Sequence, residues 1–161
     1  MRVFKEEQRF TQTWILVLMG ISFMLPFIMI TKSFLDGQIG LLNYLFILGI
    51  VLLSCGLIFI FKLITKIDPV GIHYRFSPLH RSIKTILWKD IAKAETRTYN
   101  ALTEYGGWGL KGGLFGKKGI ALNVTGNVGI QLVLKNNKRI LIGTQKRREA
   151  DEVISRYLHK S

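Results

Sequence analysis

Two long apolar stretches occupy the first 61 residues and restrict the fold more than any other feature. The first runs from Thr13 to Ile30 without a charge, and the second runs from Leu41 to Phe61 with Asn43 and Ser54 as its clearly polar interruptions. At helical rise each can cross a hydrocarbon core of about 30 Å. A cleaved signal peptide is the alternative for the first stretch, but no small-residue cleavage pattern precedes Lys32. The sequence therefore predicts a two-helix transmembrane hairpin.

Cations flank the two stretches unevenly. The connecting loop contains one, whereas the outer flanks contain Arg2, Lys5, Arg9, Lys62 and Lys66. Because lysine and arginine are enriched on the cytoplasmic side of a membrane, both termini are predicted to be cytoplasmic. The predicted organisation is a cytoplasmic segment over residues 1–12, a hairpin over 13–64 with spans of about 13–31 and 40–62, and a cytoplasmic domain over 66–161.

The domain after residue 65 is punctuated by glycine, proline and asparagine, and its short runs are rich in β-branched and aromatic residues. Six runs are typical of strands, at 71–76, 82–88, 93–99, 119–125, 129–135 and 139–144. The clearest pairing joins Gly129–Leu134 to Arg139–Gly143 through a turn with two adjacent asparagines, which tolerate positive φ.

The last segment has the spacing of an amphipathic helix. Its apolar positions recur at i, i+3, i+4 and i+7, and they are Ala150, Val153, Ile154, Tyr157 and Leu158. Such a helix is expected to cover the apolar opening of a small barrel or strongly bent sheet.

The order of features resembles a known family. The matching features are the two spans, Asp68-Pro69, a Tyr-Arg-Phe strand, Trp88-Lys89-Asp90-Ile91, Tyr105-Gly106-Gly107-Trp108-Gly109, and Ile142-Gly143-Thr144-Gln145 before the final helix. In this order the chain resembles bacterial membrane-anchored proteins with a pleckstrin-homology-like domain, which include families of unknown function. The resemblance covers essentially the whole chain. It implies an α+β, mostly β, bent barrel of about seven strands with a C-terminal capping helix, in the bacterial cytoplasmic (inner) membrane.

The stretch from Gly106 to Gly119 contains a glycine pattern, Gly107-x-Gly109-x-x-Gly112, that formally matches a dinucleotide-binding turn. We disfavour this interpretation because such a turn needs a buried strand before it and a helix after it. A Walker loop is also disfavoured, since Lys118 stands where serine or threonine would bind magnesium. No cofactor is predicted.

Two interpretations of this stretch stay open. In the first, the glycines permit bends while Trp108 and Phe115 pack into the core. In the second, the stretch forms a rim that contacts the inner leaflet with aromatic side chains at headgroup depth and lysines toward anionic lipid. The residues of that rim are Trp108, Lys111, Leu114, Phe115, Lys117 and Lys118.

The region beyond residue 61 is strongly basic, with 19 lysines and arginines against 7 acidic residues. Lys146, Arg147 and Arg148 fall at the start of the predicted final helix, where the helix dipole disfavours cations unless an anionic group meets them. Anionic lipid and a protein partner are the candidate partners. Nucleic acid is disfavoured because the chain is membrane-tethered and has no recognisable reading helix.

Residues suited to catalysis are sparse. His73, His80 and His159 lack a metal-ligand spacing, and the acidic residues form no evident catalytic pair. Cys55 lies mid-span and is expected to be a buried apolar residue. A membrane enzyme that uses His73 or His80 remains a third hypothesis, and no catalytic, cofactor-binding or metal residue is predicted.

These observations predict a non-enzymatic, membrane-anchored binding or scaffolding module that recruits or regulates a protein partner at the inner membrane face. The alternative is a sensor of anionic lipid that uses the basic aromatic rim. Self-association of the spans is also open, since Gly49 and Gly56 permit a close helix contact.

Overall fold

The computed structural model describes residues 3–10, 12–112 and 119–158. The chain divides into two compact units. One is a helical hairpin over Phe10–Phe61, and the other is a β domain formed by the residues before Phe10 together with those after Phe61.

The hairpin consists of α1 (Thr13–Leu35) and α2 (Leu41–Leu57), and α2 continues into a 3-10 turn at Ile58–Ile60. Both helices are long and apolar enough to cross a membrane, by length and composition. The hydroxyl oxygens of Thr31 and Tyr44 lie 3.4 Å apart near the connecting loop. The first helix extends beyond the predicted span and includes Lys32.

The first sheet of the β domain holds strands from both sides of the hairpin. Its antiparallel order is β1 (Phe4–Arg9), β2 (Lys62–Ile67), β3 (Gly71–Ser77) and β4 (Lys84–Leu87). The structure differs here from the sequence prediction, because the segment 1–12 contains a strand of the domain and the predicted boundary at residue 66 falls inside β2. The strand β2 was not recognised in the sequence, because Leu63 and Ile64 continue the hydrophobic run of the second apolar stretch.

The second sheet is built from β5 (Ile91–Thr98), β6 (Gly109–Lys111), β7 (Ile120–Asn123), β8 (Val128–Leu134) and β9 (Arg139–Gly143). Its order is β5-β8-β9-β7-β6, with β7 parallel to β9 and the other pairs antiparallel. The predicted hairpin between β8 and β9 is confirmed, with Gly129 opposite Gly143. Asn137 in its turn has φ of 62°, as the adjacent asparagines suggested.

The predicted C-terminal helix is confirmed as α4 (Arg147–Leu158). It buries Ala150, Val153 and Ile154, and it contacts β1 and β2 of the first sheet as well as β5 and β8 of the second. The Thr96 hydroxyl donates to the Asp151 carboxylate at 2.6 Å. The core of the domain therefore lies between the inner faces of the two sheets and the apolar face of α4.

The prediction of one bent barrel of about seven strands is only partly correct. The described residues contain nine strands in two separate sheets, and these do not form a closed barrel. The chain leaves the first sheet after β4 through a 3-10 turn at Trp88–Asp90 and enters the second sheet at Ile91. Because β4 is an edge of one sheet and β5 an edge of the other, the backbone hydrogen-bond ladder is interrupted at this turn.

Candidate functional site

A short helix after β5, α3 (Ala101–Tyr105), forms one wall of a surface groove in the β domain. Asn100 caps its start, because the side-chain oxygen accepts from the amides of Leu102 at 3.0 Å and Thr103 at 3.1 Å. The Glu104 carboxylate accepts in return from the Asn100 amide at 2.9 Å. Gly106 ends the helix with φ of 73°, a conformation that glycine adopts without steric cost.

An arginine holds α3 against the second sheet. The Arg97 guanidinium donates to both carboxylate oxygens of Glu104, at 2.7 and 3.3 Å, and to the side-chain oxygen of Gln131 at 3.1 Å. The hydrogen bond to Glu104 raises the pKa of Arg97 above its usual value. Two bonds of this kind restrict orientation as well as distance, so they help to hold α3 against β5.

Trp108 lies just beyond α3 and packs against a small apolar cluster. The cluster consists of the buried residues Tyr99, Ala101, Ala121 and Leu141, and Tyr105 also packs on it. The indole N–H of Trp108 donates to the carbonyl oxygen of Gly126 at 3.4 Å. Trp108 is half-buried, so it serves the core while one part of its surface remains accessible.

A groove of about 500 Å³ lies beside these residues. Its lining includes Tyr99, Asn100, Glu104, Trp108 and Gly126, and Leu102 stands at its rim with 61% of its surface exposed. The groove therefore combines an aromatic wall and an aliphatic side chain with hydrogen-bonding groups. This mixture is typical of sites that bind a ligand or a peptide segment.

The basic cluster predicted at the final helix is exposed at the start of α4, and Lys146 lies 3.5 Å from the Glu149 carboxylate. A second acidic group also lies close to the helix start. The buried Glu6 carboxylate of β1 accepts from the Gln145 amide at 2.7 Å and from the Thr144 hydroxyl at 2.6 Å. An anionic group near a helix N-terminus offsets the dipole. Glu6 and Glu149 are therefore anionic groups of the same chain that lie near the start of α4 and offset its cations.

The turn at Thr125 and Gly126 connects two regions predicted from the sequence, the region around Trp108 and the basic cluster at the start of α4. Gly126 accepts from Trp108, and the neighbouring Thr125 carbonyl accepts from the Gln145 side chain at 2.9 Å. Gln145 directly precedes Lys146, so the turn connects the Trp108 region to the start of α4. Lys111 is half-buried in the edge strand β6. Leu114, Phe115, Lys117, Lys118 and His159 lie outside the described residues.

The glycine pattern from Gly107 to Gly112 has neither of the flanks that a dinucleotide site requires. It follows the short helix α3 rather than a buried strand, and it runs into the edge strand β6 rather than into a helix. Gly107 and Gly109 have φ of 123° and 112°. Their conformations match the first interpretation of this stretch, in which the glycines permit bends.

His73 and His80 have different surroundings. His73 lies 3.0 Å from the Asp68 carboxylate through Nε2 and 2.8 Å from the Thr85 hydroxyl through Nδ1. His80 accepts from the Phe76 amide at 3.2 Å and contacts the Tyr74 ring edge-on. Desolvation, followed by the charge of Lys84, lowers the pKa of His80. The two histidines therefore serve separate turns of the first sheet.

Asp68 organises the turn between β2 and β3. Its carboxylate accepts from the Val70 amide at 2.9 Å and from the Lys66 ammonium at 2.9 Å, and its carbonyl oxygen accepts from the Trp88 indole at 2.8 Å. Burial opposes ionisation, but the hydrogen bonds from Lys66, His73 and Val70 outweigh it. The pKa of Asp68 is consequently held well below its usual range.

This low pKa predicts acid-sensitive stability. Because the pKa of Asp68 is lower in the folded state than the unfolded value of about 3.9, its contribution is present above that pH and is lost as pH falls further. Asp68→Asn should lower the urea midpoint at neutral pH, and its difference from the unmodified protein should shrink toward about pH 2. Asp90→Asn changes an exposed carboxyl and is the control. A midpoint difference independent of pH would contradict this role for Asp68.

Sequence reasoning missed the groove residues Tyr99, Asn100 and Glu104, and also Glu6. A signal existed for the first group, since asparagine is a favoured N-cap residue and an acidic residue in the following turn is typical of a helix start. No comparable signal identified Glu6, because its partners lie more than 130 residues away.

Comparisons with protein-family models, curated proteins and solved structures gave no match to this chain. Among the described residues, no group of three or more histidine, cysteine, aspartate or glutamate side chains could hold a metal ion.

Proposed function

We propose that this protein is a membrane-anchored binding module of the pleckstrin-homology-like type, in which the hairpin crosses the bacterial cytoplasmic membrane and the β domain recruits or regulates a protein partner at its inner face. The observation that carries the proposal is the pairing of Arg9 in β1 with Lys62 in β2. These residues flank the hairpin on its two sides, so the chain leaves and re-enters the same sheet at adjacent positions.

This pairing supports a hairpin whose ends lie on one side of the membrane. Three residues separate Arg9 from Thr13, and one residue separates Ile60 from Lys62. Both connections are therefore short, because a chain spans at most about 3.5 Å per residue. The hairpin is suited to tethering the domain at one membrane face, as a recruiting module requires.

The groove beside α3 is the partner site that we favour. Leu102 and Trp108 offer apolar surface, and the Glu104 charge is already compensated by Arg97. A peptide segment of a partner that inserts an apolar side chain between Leu102 and Trp108 suits this chemistry, while Asn100 at the groove offers polar groups.

Site-specific photocrosslinking in cells tests this proposal. A photoreactive residue at Leu102 is expected to crosslink a defined membrane or cytoplasmic protein, whereas the same residue at Asn136 should not. Asn136 is also exposed but lies in the β8–β9 turn, at the other end of β8 from Asn127 and the groove.

The crosslink must also depend on the groove. Trp108→Ala in the Leu102-labelled protein should remove it, while Lys135→Ala in the distant turn should leave it unchanged. Equal crosslinking from both label positions, or a crosslink indifferent to Trp108→Ala with the domain still folded, would contradict a groove-bound partner.

The charge of the domain supports a second proposal, the sensing of anionic lipid. Lys5, Lys66 and Lys93 are exposed on the described part of the domain, and the whole region beyond residue 61 has an excess of 12 cations. Each cation near an anionic leaflet contributes up to about 1 kcal/mol. Salt-dependent contact of the domain with anionic, but not zwitterionic, bilayers is the expected result.

A further inference from the structure

The two clearly polar residues of α2 lie on the same face of that helix. Asn43 and Ser54 are separated by about three helical turns, and both side chains are exposed. Further exposed residues continue this face at alternating spacings of four and three. The complete set, which we call the α2 stripe, consists of Asn43, Ile47, Ile50, Ser54 and Leu57. Such spacings are typical of the seam between two helices with a left-handed crossing.

The α2 stripe faces away from the contact that α2 makes with α1 near the connecting loop. That contact is made by Tyr44, whose hydroxyl lies 3.4 Å from that of Thr31 and whose ring stacks on Phe34 with centroids 4.8 Å apart. Because successive residues of a helix are rotated by about 100°, Asn43 and Tyr44 point to different sides. The first helix therefore leaves the start of the α2 stripe uncovered.

A groove of about 390 Å³ between the two helices adjoins the other end of the stripe. Ser54 of α2 and Ser22 of α1 both line it, and both are exposed. Ser22 lies about 14 Å along α1, and Ser54 lies about 10 Å before the end of the second candidate span, so a membrane that the hairpin crosses would enclose both. The rest of the lining is mainly apolar and consists of Trp14, Ile15, Leu18, Met19, Cys55 and Ile58. Small residues at such a position permit another helix to approach closely.

A second copy of this chain offers the groups that match this face. Two copies inserted in the same orientation have parallel α2 helices, and a twofold axis along the membrane normal brings identical residues together at the same depth. The Asn43 carboxamide has both donors and an acceptor, so it can hydrogen-bond to the same group of the second copy. The Ser54 hydroxyl donates to the Val51 carbonyl oxygen of its own helix at 2.8 Å, which makes it a small, satisfied residue at the closest approach. An acyl chain offers no hydrogen bond to Asn43.

We propose that the α2 stripe is the interface of a parallel homodimer, in which the stripes of two copies pack together and their Asn43 carboxamides hydrogen-bond to each other. Gly49 and Gly56 lie about 130° around the helix from the stripe, so this interface differs from the glycine contact considered above. The dimer carries two copies of the groove beside α3, so a partner with two binding segments gains avidity. This proposal rests on the hairpin crossing the membrane, but it does not depend on the identity of a partner.

Disulfide crosslinking of the full-length protein in liposomes tests the interface. In a Cys55→Ser background, Ile50→Cys places a thiol on the stripe, and Leu52→Cys places one on the opposite side of α2. The pair is matched, since Ile50 and Leu52 are 52% and 54% exposed and two residues apart. At a large excess of lipid, a membrane-permeant oxidant should convert the Ile50→Cys protein to a covalent dimer and leave the Leu52→Cys protein monomeric. Equal crosslinking at the two positions would overturn the proposal, because it shows no preferred face.

A dye on Leu52→Cys reports insertion of the hairpin separately, through quenching by lipids that are spin-labelled in the acyl chain. If the dye is quenched but Ile50→Cys forms no covalent dimer, the dimer proposal is wrong and the membrane anchor survives. If the dye is not quenched, the hairpin does not insert, and both proposals fail. Crosslinking of Ile50→Cys in cells to a different membrane protein, without a self-crosslink, would assign the stripe to another helix and overturn the homodimer.

Energy transfer between donor- and acceptor-labelled copies in liposomes tests the polar contact. A hydrogen bond between membrane helices strengthens association by a factor of about 3–20, so Asn43→Leu should raise the dissociation constant by that factor. Asn43→Gln keeps the carboxamide and should retain association. Gly49→Leu with Gly56→Leu alters the other face and should have little effect. Loss of association in this glycine variant, with Asn43→Leu unchanged, would place the interface on the glycine face and contradict the proposal.

Discussion

Removal of residues 1–9 is expected to unfold the β domain, although these residues precede both apolar helices. β1 pairs with β2 over six positions, and Phe4, Glu6 and Gln8 are buried. Truncating one buried phenylalanine typically costs about 3–5 kcal/mol, and small domains have only about 5–15 kcal/mol of stability. Losing the whole strand should therefore leave no cooperative unfolding transition.

A hairpin-free protein provides the measurement. Residues 3–9 joined through a short Asn-Gly turn to residues 62–161 should form a soluble, folded domain, because Arg9 and Lys62 already lie opposite each other. The matched control is the same chain that begins at Lys62. Urea unfolding followed by the fluorescence of the buried Trp88, with Trp108 replaced by phenylalanine, compares the two. If they unfold at the same urea concentration, β1 is dispensable and the prediction is wrong.

Replacing Glu6 with alanine should destabilise the domain by about 2–3 kcal/mol, because hydrogen bonds to a charged group are strong and their loss leaves two donors without this acceptor. Those donors are the Thr144 hydroxyl and the Gln145 amide. Glu6 thereby joins the first residues of the domain to the start of its last helix. Urea unfolding of the hairpin-free domain, or of the full protein in mild detergent, measures the change.

Glu7 offers a control within the same strand. Its carboxylate lies on the opposite face, 41% exposed, and pairs with Arg9 at 2.7 Å. Exposed ion pairs contribute less than about 1 kcal/mol, so Glu7→Ala should have a small effect. Comparable losses in the Glu6 and Glu7 variants would show that the buried contacts to Thr144 and Gln145 do not stabilise the fold as we expect.

Together these contacts couple the folding of the domain to the topology of the hairpin. β1 can pair with β2 only when both strands are in the same compartment. A hairpin inserted with its ends on opposite sides would separate them and leave Glu6 without its partners at the start of α4. In the full-length chain, β1 can therefore complete the first sheet only when both ends of the hairpin lie on one side.

Local sequence patterns were sufficient to predict the parts of the fold whose residues form an apolar run, an apolar period or a recognisable turn. The helices α1 and α2 follow from two long apolar stretches, and α4 follows from the spacing of Ala150, Val153 and Ile154. The β8–β9 hairpin follows from two strand-like runs around adjacent asparagines, one of which, Asn137, has positive φ. In each case the information is local, because a few neighbouring residues determine the period or the turn.

The candidate site was predictable only in part. The sequence singled out Trp108 by its aromatic character within a glycine-rich stretch, and it identified Lys146, Arg147 and Arg148 by their position before a helix. It did not show that the Gly126 turn connects the two regions, since that turn lies apart from both in sequence.

The sequence by itself determined two apolar helices, a basic β-rich domain and an amphipathic last helix. The tertiary structure alone decided that the residues before the hairpin belong to the domain after it. In β1 the inward side chains are Phe4, Glu6 and Gln8, so the strand has no alternating apolar pattern to detect. Its two polar residues are buried with distant partners, since the Gln8 side-chain amide donates to the Gly143 carbonyl and the Glu6 carboxylate accepts from Thr144 and Gln145. Those partners become neighbours only after the chain has folded.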